Sequence, residues 1–577
     1  MTAEKMPREV TKPVWDVTPG LDFDPEVDLK VIPSWFIDAT HSVPAWTPMF
    51  AWFWNKYCSH GLKYCANMLS LPSCKGWEWR TLHGHGYAGF VVVRDPEEIK
   101  RREVKFREAL RPFIEDFDGV WKKYQDEIMA IYKPLREFDY DKATNAELLY
   151  KLWECIKMYA RHWEIHFVGM YVSYNAWLLF EGLCKEQFNL TDQDPEFQKL
   201  LIGFDNKIYQ NDRDLWQFAQ DAMKAGLANI FLTSEPKAKE VIPKLEQTEA
   251  GRKFIKKLRD WLNVNGWRMQ RMAEINEPCW VEDPSPVIFY IKSYIEKGGG
   301  FDLEGTRRKL AEEREKAVAT FTKKVPAEQK EWFLALIRLA QKASSYSEEH
   351  NWYLDLYAHA MIRRCCLGIG RRLTQAGTIA KPEDIFFLNP DEVERVIMVP
   401  EIHDLRYIVN RRRKEYEEWQ KEDLEGRTPP VITTRANIEE AVMTDIIPAM
   451  DAIAIKIVVG DLPKVRPELK ADLYGITGSP GEAQGPARVV LSYEELPLVQ
   501  PGDVLVAPCT YPSWTPVFSR INAVVIDRGG TLCHAAIIGR EFGIPVVTNT
   551  FEATKKIRSG MKVRVNGTEG TVYILEK

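Results

Sequence analysis

The sequence predicts a multidomain protein of class α + α/β, a largely helical body followed by a compact α/β unit. Three observations carry that reading. The chain has 577 residues, more than a single core accommodates at roughly 100–200 residues per domain. Apolar residues recur at helical spacing through residues 101–455, as in NAELLYKLWECIKMYARHWEIHFVGMYVSYNAWLLFEGL and EEHNWYLDLYAHAMIRRCCLGIGRRL. From 473 to 577, short β-rich runs (ARVVL, DVLVA, AVVI, KVRV, TVYIL) alternate with Gly and Pro turns around one helix-like stretch, HAAIIGREF.

Residues 1–100 have a third texture, loop-rich and dense in tryptophan (Trp15, Trp35, Trp46, Trp52, Trp54, Trp77 and Trp79), closing on the strand-like GYAGFVVV with a short hairpin. Between body and C-terminal unit, residues 456–472 (KIVVGDLPKVRPELKAD) carry two prolines and many charges, the composition of an exposed linker. A net charge of −5 gives no basic excess for phosphate-backbone contact, so nucleic acid is not an expected partner. No apolar run reaches the ~18 residues that span a bilayer, and the N-terminus is charged where a signal peptide would be apolar. Ten cysteines without a CxxC pair read as reduced thiols. The expectation is a cytoplasmic protein with no membrane partner.

The chemistry concentrates in DRGGTLCHAAIIGREFGIPVV. Gly529 and Gly530 precede His534 where a loop following the strand AVVI turns into a helix. A helix start offers backbone N–H donors and the positive end of the macrodipole, so a phosphate on His534 would meet donors already aimed at it. Neutral imidazole is nucleophilic near pH 7, and its N–P bond is labile enough to pass the group to an oxygen. A lone histidine at a helix start is equally compatible with a purely structural role.

The surrounding residues favour the carrier. Gly478, Pro480 and Gly481, then Thr510, Pro512, Trp514 and Pro516, then Arg528, Gly529, Gly530, Cys533, His534, Arg540, Gly543 and Pro545 together resemble the mobile phosphohistidine domain of the phosphoenolpyruvate-utilising enzymes. KPEDIFFLNPDEV resembles the helical region preceding that domain. The resemblance implies a swivelling β/β/α domain over 473–577, with His534 phosphorylated and Arg528, Gly529, Gly530, Thr531 and Cys533 supporting the phosphate. Such relatives usually have Thr two residues before the histidine, where this chain has Leu532, with Thr531 one place earlier.

Neither an ATP-grasp segment nor GxxxxGK[ST] is found, and EKGGGFDLEG around Gly298 lacks the strand-to-helix setting of a phosphate loop. No enol-binding barrel is expected after His534 either. The layout is most similar to the phosphohistidine-bearing subunit of the phenylphosphate synthase type. That resemblance implies an ATP-grasp partner holding ATP with Mg²⁺ or Mn²⁺, and transfer from His534 to a small phenol, giving aryl phosphate, AMP and phosphate. A phosphocarrier or relay protein, and a phosphotransferase for a larger hydroxylated compound such as a rifamycin, are the alternatives.

For the acceptor, the candidate base and pocket residues are His83, His85, His162, His166, Trp77 and Trp79. His162 and His166 share a helical face, but without a third ligand they make a poor metal site, and no resident metal is expected. Cys58, His60, Cys65 and Cys74 fit no zinc spacing. Arg363, Arg364, Arg371 and Arg372 read as a solvated cationic face or as a steering patch for the incoming phosphohistidine.

His534→Ala should abolish acid-labile, base-stable label from β-³²P-ATP in the presence of the ATP-binding partner. Undiminished labelling would move the carrier role to another residue.

Overall fold

The computed structural model describes residues 21–32, 35–72, 74–298, 303–427, 429 and 465–576. Trp15, part of the glycine-rich stretch after Gly298, the end of the expected helical region 101–455 and the first nine residues of the expected linker 456–472 fall outside them.

The tryptophan-rich region supplies a helix and a small sheet. Helix α1 (Pro48–Met68) opens on Pro48, whose missing N–H costs nothing in the first turn. Strands β1 (Trp35–Ile37), β2 (Cys74–Leu82) and β3 (His85–Val92) form an antiparallel sheet in the order β1-β3-β2. The β2–β3 turn is His83–Gly84, both at positive φ, as a tight hairpin requires. A side chain on Gly84 would meet Ala45 Cβ at 2.8 Å, so only glycine fits.

Two long helices follow, α2 (Pro96–Glu137) and α3 (Asn145–Phe188). Thr144 and Glu147 close a capping box at the start of α3, and Asn189 ends it in the left-handed conformation. From His162 to Trp177 nearly every side chain of α3 is buried, which makes it the axis of the body. Helices α4 (Lys207–Lys224) and α5 (Ser285–Lys297) form a second layer. Helix α6 (Lys330–His350) runs through a π-helical turn, Asn351–Leu356, straight into α7 (Tyr357–Gln375), and α8 (Arg406–Leu424) packs beyond it. No helix among the described residues is long and apolar enough to cross a membrane.

The C-terminal unit is an eight-stranded sheet in the order β4-β11-β10-β6-β7-β8-β9-β5. Its strands are β4 (Leu473–Tyr474), β5 (Ile476–Ser479), β6 (Glu482–Val489), β7 (Val504–Ala507), β8 (Ala523–Ile526), β9 (Val546–Thr548), β10 (Lys562–Asn566) and β11 (Thr571–Glu576). Strands β6 to β9 are parallel, and helix α9 (His534–Phe542) is the crossover between β8 and β9. His534 is therefore the first residue of a helix at the carboxyl end of a parallel strand, where open α/β sheets gather their ligands.

This unit is seated on the body through a continuous apolar core. Trp280, Tyr290 and Tyr294 of the body share one buried cluster with Tyr511, Trp514, Phe518 and Ala535. Polar contacts frame it: Arg268 Nη2 donates to the Pro512 carbonyl (3.1 Å), and Tyr290 Oη to that of Ser513. Arg520 donates to Ser293 Oγ (2.6 Å) and pairs with Glu296 (3.1 Å). Glu541 accepts from the Gly203 amide (2.9 Å).

Arg520→Ala should loosen this seating by about 1–2 kcal/mol, the usual cost of leaving buried partners unpaired. Hydrogen exchange should rise in 512–519 and 534–542 while β10 and β11 keep their protection. A uniform rise would signify unfolding of the unit instead.

Candidate functional site

Gly529 has φ +120, and a Cβ there would lie 2.9 Å from Cys533 Sγ, so the chain reverses between β8 and α9 only with glycine at that place. Cys533 then caps α9 in an extended conformation, leaving His534 to begin the helix. Arg540, one turn and a half later, holds the loop by donating to the carbonyls of Gly478 (2.6 Å) and Thr531 (2.9 Å).

Both ring nitrogens of His534 meet threonine hydroxyls, Nδ1 with Thr510 Oγ1 at 2.8 Å and Nε2 with Thr515 Oγ1 at 3.0 Å. Thr515 gives its own hydroxyl proton to the Pro512 carbonyl (2.9 Å), so its oxygen accepts from Nε2–H, and Nδ1 accepts from Thr510. Burial, aided by the positive charge of Arg268, lowers the His534 pKa to about 3. The ring is a neutral nucleophile in this setting. A phosphoryl group on either nitrogen displaces one threonine.

His534 forms part of the wall of a cavity of about 140 Å³ lying between the C-terminal unit and the body. Trp54 of α1, Trp77 and Trp79 of β2, and Trp163 and Phe167 of α3 line it with flat rings. Trp54 meets Trp163 edge-on at 4.8 Å, and Trp163 stacks on Phe167 at 5.3 Å. The indole N–H groups of Trp54, Trp77 and Trp79 are buried without a hydrogen-bond partner among the described residues.

Polar groups interrupt the apolar wall, among them the His41–Asp38 pair (2.6 Å) and two further acidic groups. The first is Asp355 with its histidines. Asp355 Oδ1 accepts from His162 Nε2 (2.8 Å) and His166 Nδ1 (3.2 Å), and His350 Nε2 lies 3.7 Å from Oδ2. Burial opposes the Asp355 charge, but His166, His162 and His350 outweigh it and hold the carboxyl well below its usual range. His350 Nδ1 donates to the Tyr346 carbonyl (2.7 Å), which leaves Nε2 as an acceptor, and burial lowers the ring's pKa to about 3. The second group is Glu348, fully buried, with neither carboxyl oxygen hydrogen-bonded among the described residues. Burial raises its pKa to about 8, against the pull of Arg268.

The sequence-derived candidates divide accordingly. His534, Arg528, Gly529, Cys533, Trp77, Trp79 and His166 all border the cavity. His162 sits one step behind, on Asp355. His83 stacks on Trp419 at the hairpin tip and His85 pairs with Asp423 at 3.1 Å; both lie outside the cavity lining, because the turn carries them past the face that Trp77 and Trp79 share. Gly530 does not reach the lining, and Thr531 turns away to Asp192 Oδ2 (2.7 Å), so the hydroxyls at His534 come from Thr510 and Thr515. Arg363 is buried on Glu282 (2.7 Å), which is a structural role, while the partly exposed Arg364, Arg371 and Arg372 bond to the α2–α3 region.

His162, His166 and Asp355 bring three ligand-type atoms within 4.8 Å of one another. Asp355 is thus the third ligand-type group that spacing alone did not reveal.

Residues 499–570 match the family described as PEP-utilising enzyme, mobile domain. The chain carries that mobile domain. Residues 164–348 match the fourth domain of rifampicin phosphotransferase. Chondramide synthase of Chondromyces crocatus is 29% identical over 97% of this chain and 14% of its own length. An uncharacterized phosphotransferase, YvkC of Bacillus subtilis, is 30% identical over 73% of this chain and 47% of its own. Rifampicin phosphotransferase of Bacillus cereus is 28% identical over 58% and 36%. The chain spans less than half the length of each of these relatives.

Seating of the mobile domain should depend on the His534 proton. An exposed histidine titrates near 6.5; buried, this one titrates at about 3. Below pH ~6.5 the unseated domain binds a proton that the seated one refuses, and seating weakens by about 1.4 kcal/mol per pH unit. Glu348 and Glu541, raised by burial to about 8 and about 7, act in the opposite sense because their protonated forms favour burial. Interdomain FRET of the parent and of His534→Gln between pH 4.5 and 7.5 should differ by one proton's slope, and coincident curves would contradict the assignment.

Proposed function

We propose that this chain is the phosphohistidine-carrying and acceptor-binding part of an ATP-dependent phosphotransferase acting on a small aromatic hydroxyl of the phenol or p-cresol type. One observation carries the reading: the mobile domain seats a neutral His534 at a ring-lined cavity of about 140 Å³. A cavity of about 150 Å³ holds one benzene ring. Indole and phenyl walls suit an aromatic ligand with a polar handle.

Phenol has a pKa near 10, like tyrosine, and attacks well only as its proton leaves. In the proposed step the phenolic oxygen bonds to phosphorus, the N–P bond breaks with its electron pair returning to the His534 ring, and His350 Nε2 takes the phenolic proton. Asp355, held ionised, stabilises the imidazolium so formed. The phosphoryl group would come from ATP with Mg²⁺ or Mn²⁺ on an ATP-grasp partner or segment. This chain's part is to carry, bind and exclude water.

A macrocyclic acceptor such as a rifamycin is disfavoured in this arrangement by the cavity's size. A carrier that merely docks another protein leaves the enclosed rings and the Asp355 cluster without a task.

Combined with an ATP-grasp partner, ATP and Mg²⁺, the chain should convert phenol or p-cresol to aryl phosphate with release of AMP and phosphate, followed by ³¹P resonance. Asp355→Asn should slow transfer by about 10²–10⁴-fold while leaving His534 labelling intact. Phosphorylation of a rifamycin or of pyruvate, with neither phenol touched, would defeat the reading.

A further inference from the structure

We propose that the acceptor is an aromatic ring with two polar substituents, a phosphoryl-accepting hydroxyl and a second hydroxyl, one engaging Glu348 and the other the Asp355–His350 pair. The inference rests on the aromatic-acceptor reading above and goes beyond it in naming the substrate class.

The cavity has more polar demand than a simple phenol can meet. Glu348 has no exposure, and neither of its carboxyl oxygens has a partner among the described residues, although it lines the cavity. An unsatisfied buried polar group costs roughly 1–3 kcal/mol, so such a group in a binding site awaits a ligand atom. His350 Nε2 and Asp355 Oδ2 pose a separate demand: two acceptors face each other at 3.7 Å, and both want a donated hydrogen.

The two demands line the same cavity but have different neighbours. The field at Glu348 comes from Arg268 and Glu541, on the mobile-domain side, whereas that at Asp355 comes from its own three histidines. A phenol or p-cresol satisfies one set and strands the other. Tryptophan and phenylalanine faces make up much of the rest of the lining, which suits a ring carrying both handles.

The second handle is a hydroxyl. Burial keeps Glu348 protonated near neutral pH, and a neutral carboxyl offers one donor and one acceptor, which a hydroxyl matches. An ammonium would require Glu348 ionised against its burial, and a carboxylate would add a second negative charge beside Asp355.

The test compares hydroquinone, resorcinol and catechol with p-cresol by calorimetric titration of the full chain. p-Cresol has a methyl group where hydroquinone has a hydroxyl, so size is controlled. At least one dihydroxybenzene should bind about 10-fold or more tightly than p-cresol. Glu348→Leu, similar in volume, should erase or reverse that preference, and Glu348→Gln should keep most of it. Equal binding of p-cresol and all three isomers, or a preference surviving in Glu348→Leu, would overturn the proposal while leaving an aromatic acceptor standing. Failure of every ring compound to bind the parent chain would overturn both.

Discussion

Everything at this site depends on an imidazole that is buried and still uncharged. Removing the His534 ring from water drives off its proton, and the threonine hydroxyls at each nitrogen fix the ring without neutralising it. Burial is in turn supplied by contact between two folding units, since the residues sealing the ring come from both the mobile domain and the body. The nucleophile's character is thus a property of the seated arrangement. Leaving the body means regaining solvent, and with it an ordinary histidine pKa.

The same low-polarity setting accounts for the unusual charges opposite His534. Asp355 stays ionised because three histidines outweigh its burial, while Glu348, with Arg268 alone in opposition, stays protonated. Two of the carboxyl groups lining this cavity are driven to opposite states by their neighbours, the arrangement by which a site divides acceptor and donor duties.

How much of this was legible in the sequence follows from where the information lies. The fold class was legible because helical spacing and short Gly-bounded strands are local patterns. His534 was legible because glycines, helix start and capping cysteine are contiguous. Trp77 and Trp79 were found because strand alternation keeps both on one face. Proximity in sequence misdirected attention to His83 and His85, which the hairpin turn carries past that face. Glu348, His350 and Asp355 went unseen because they sit in what reads as one uninterrupted helix, and the partners of Asp355 on α3 are nearly 190 residues away, as with His166. Thr510 was noted within the motif, but its bond to His534 spans a loop and a strand that no spacing rule encodes.

The π-helical turn at Asn351–Leu356 has a genetic consequence. It joins α6 to α7 without a break, so Lys330–Gln375 is one rod holding one residue more than regular winding would place there. Loss of any single codon inside the turn would let the rod rewind as plain α-helix with its caps intact. Residues on either side of the turn would keep their relative orientation, because the wide turn absorbs the extra residue, and only side chains inside it would be re-aimed. Asp355 belongs to the turn and would be among the side chains re-aimed, whereas Glu348 and His350 precede it and would keep their places. A lineage could therefore keep this fold, its core and the His534 helix start and yet re-aim the Asp355 cluster in one mutational step.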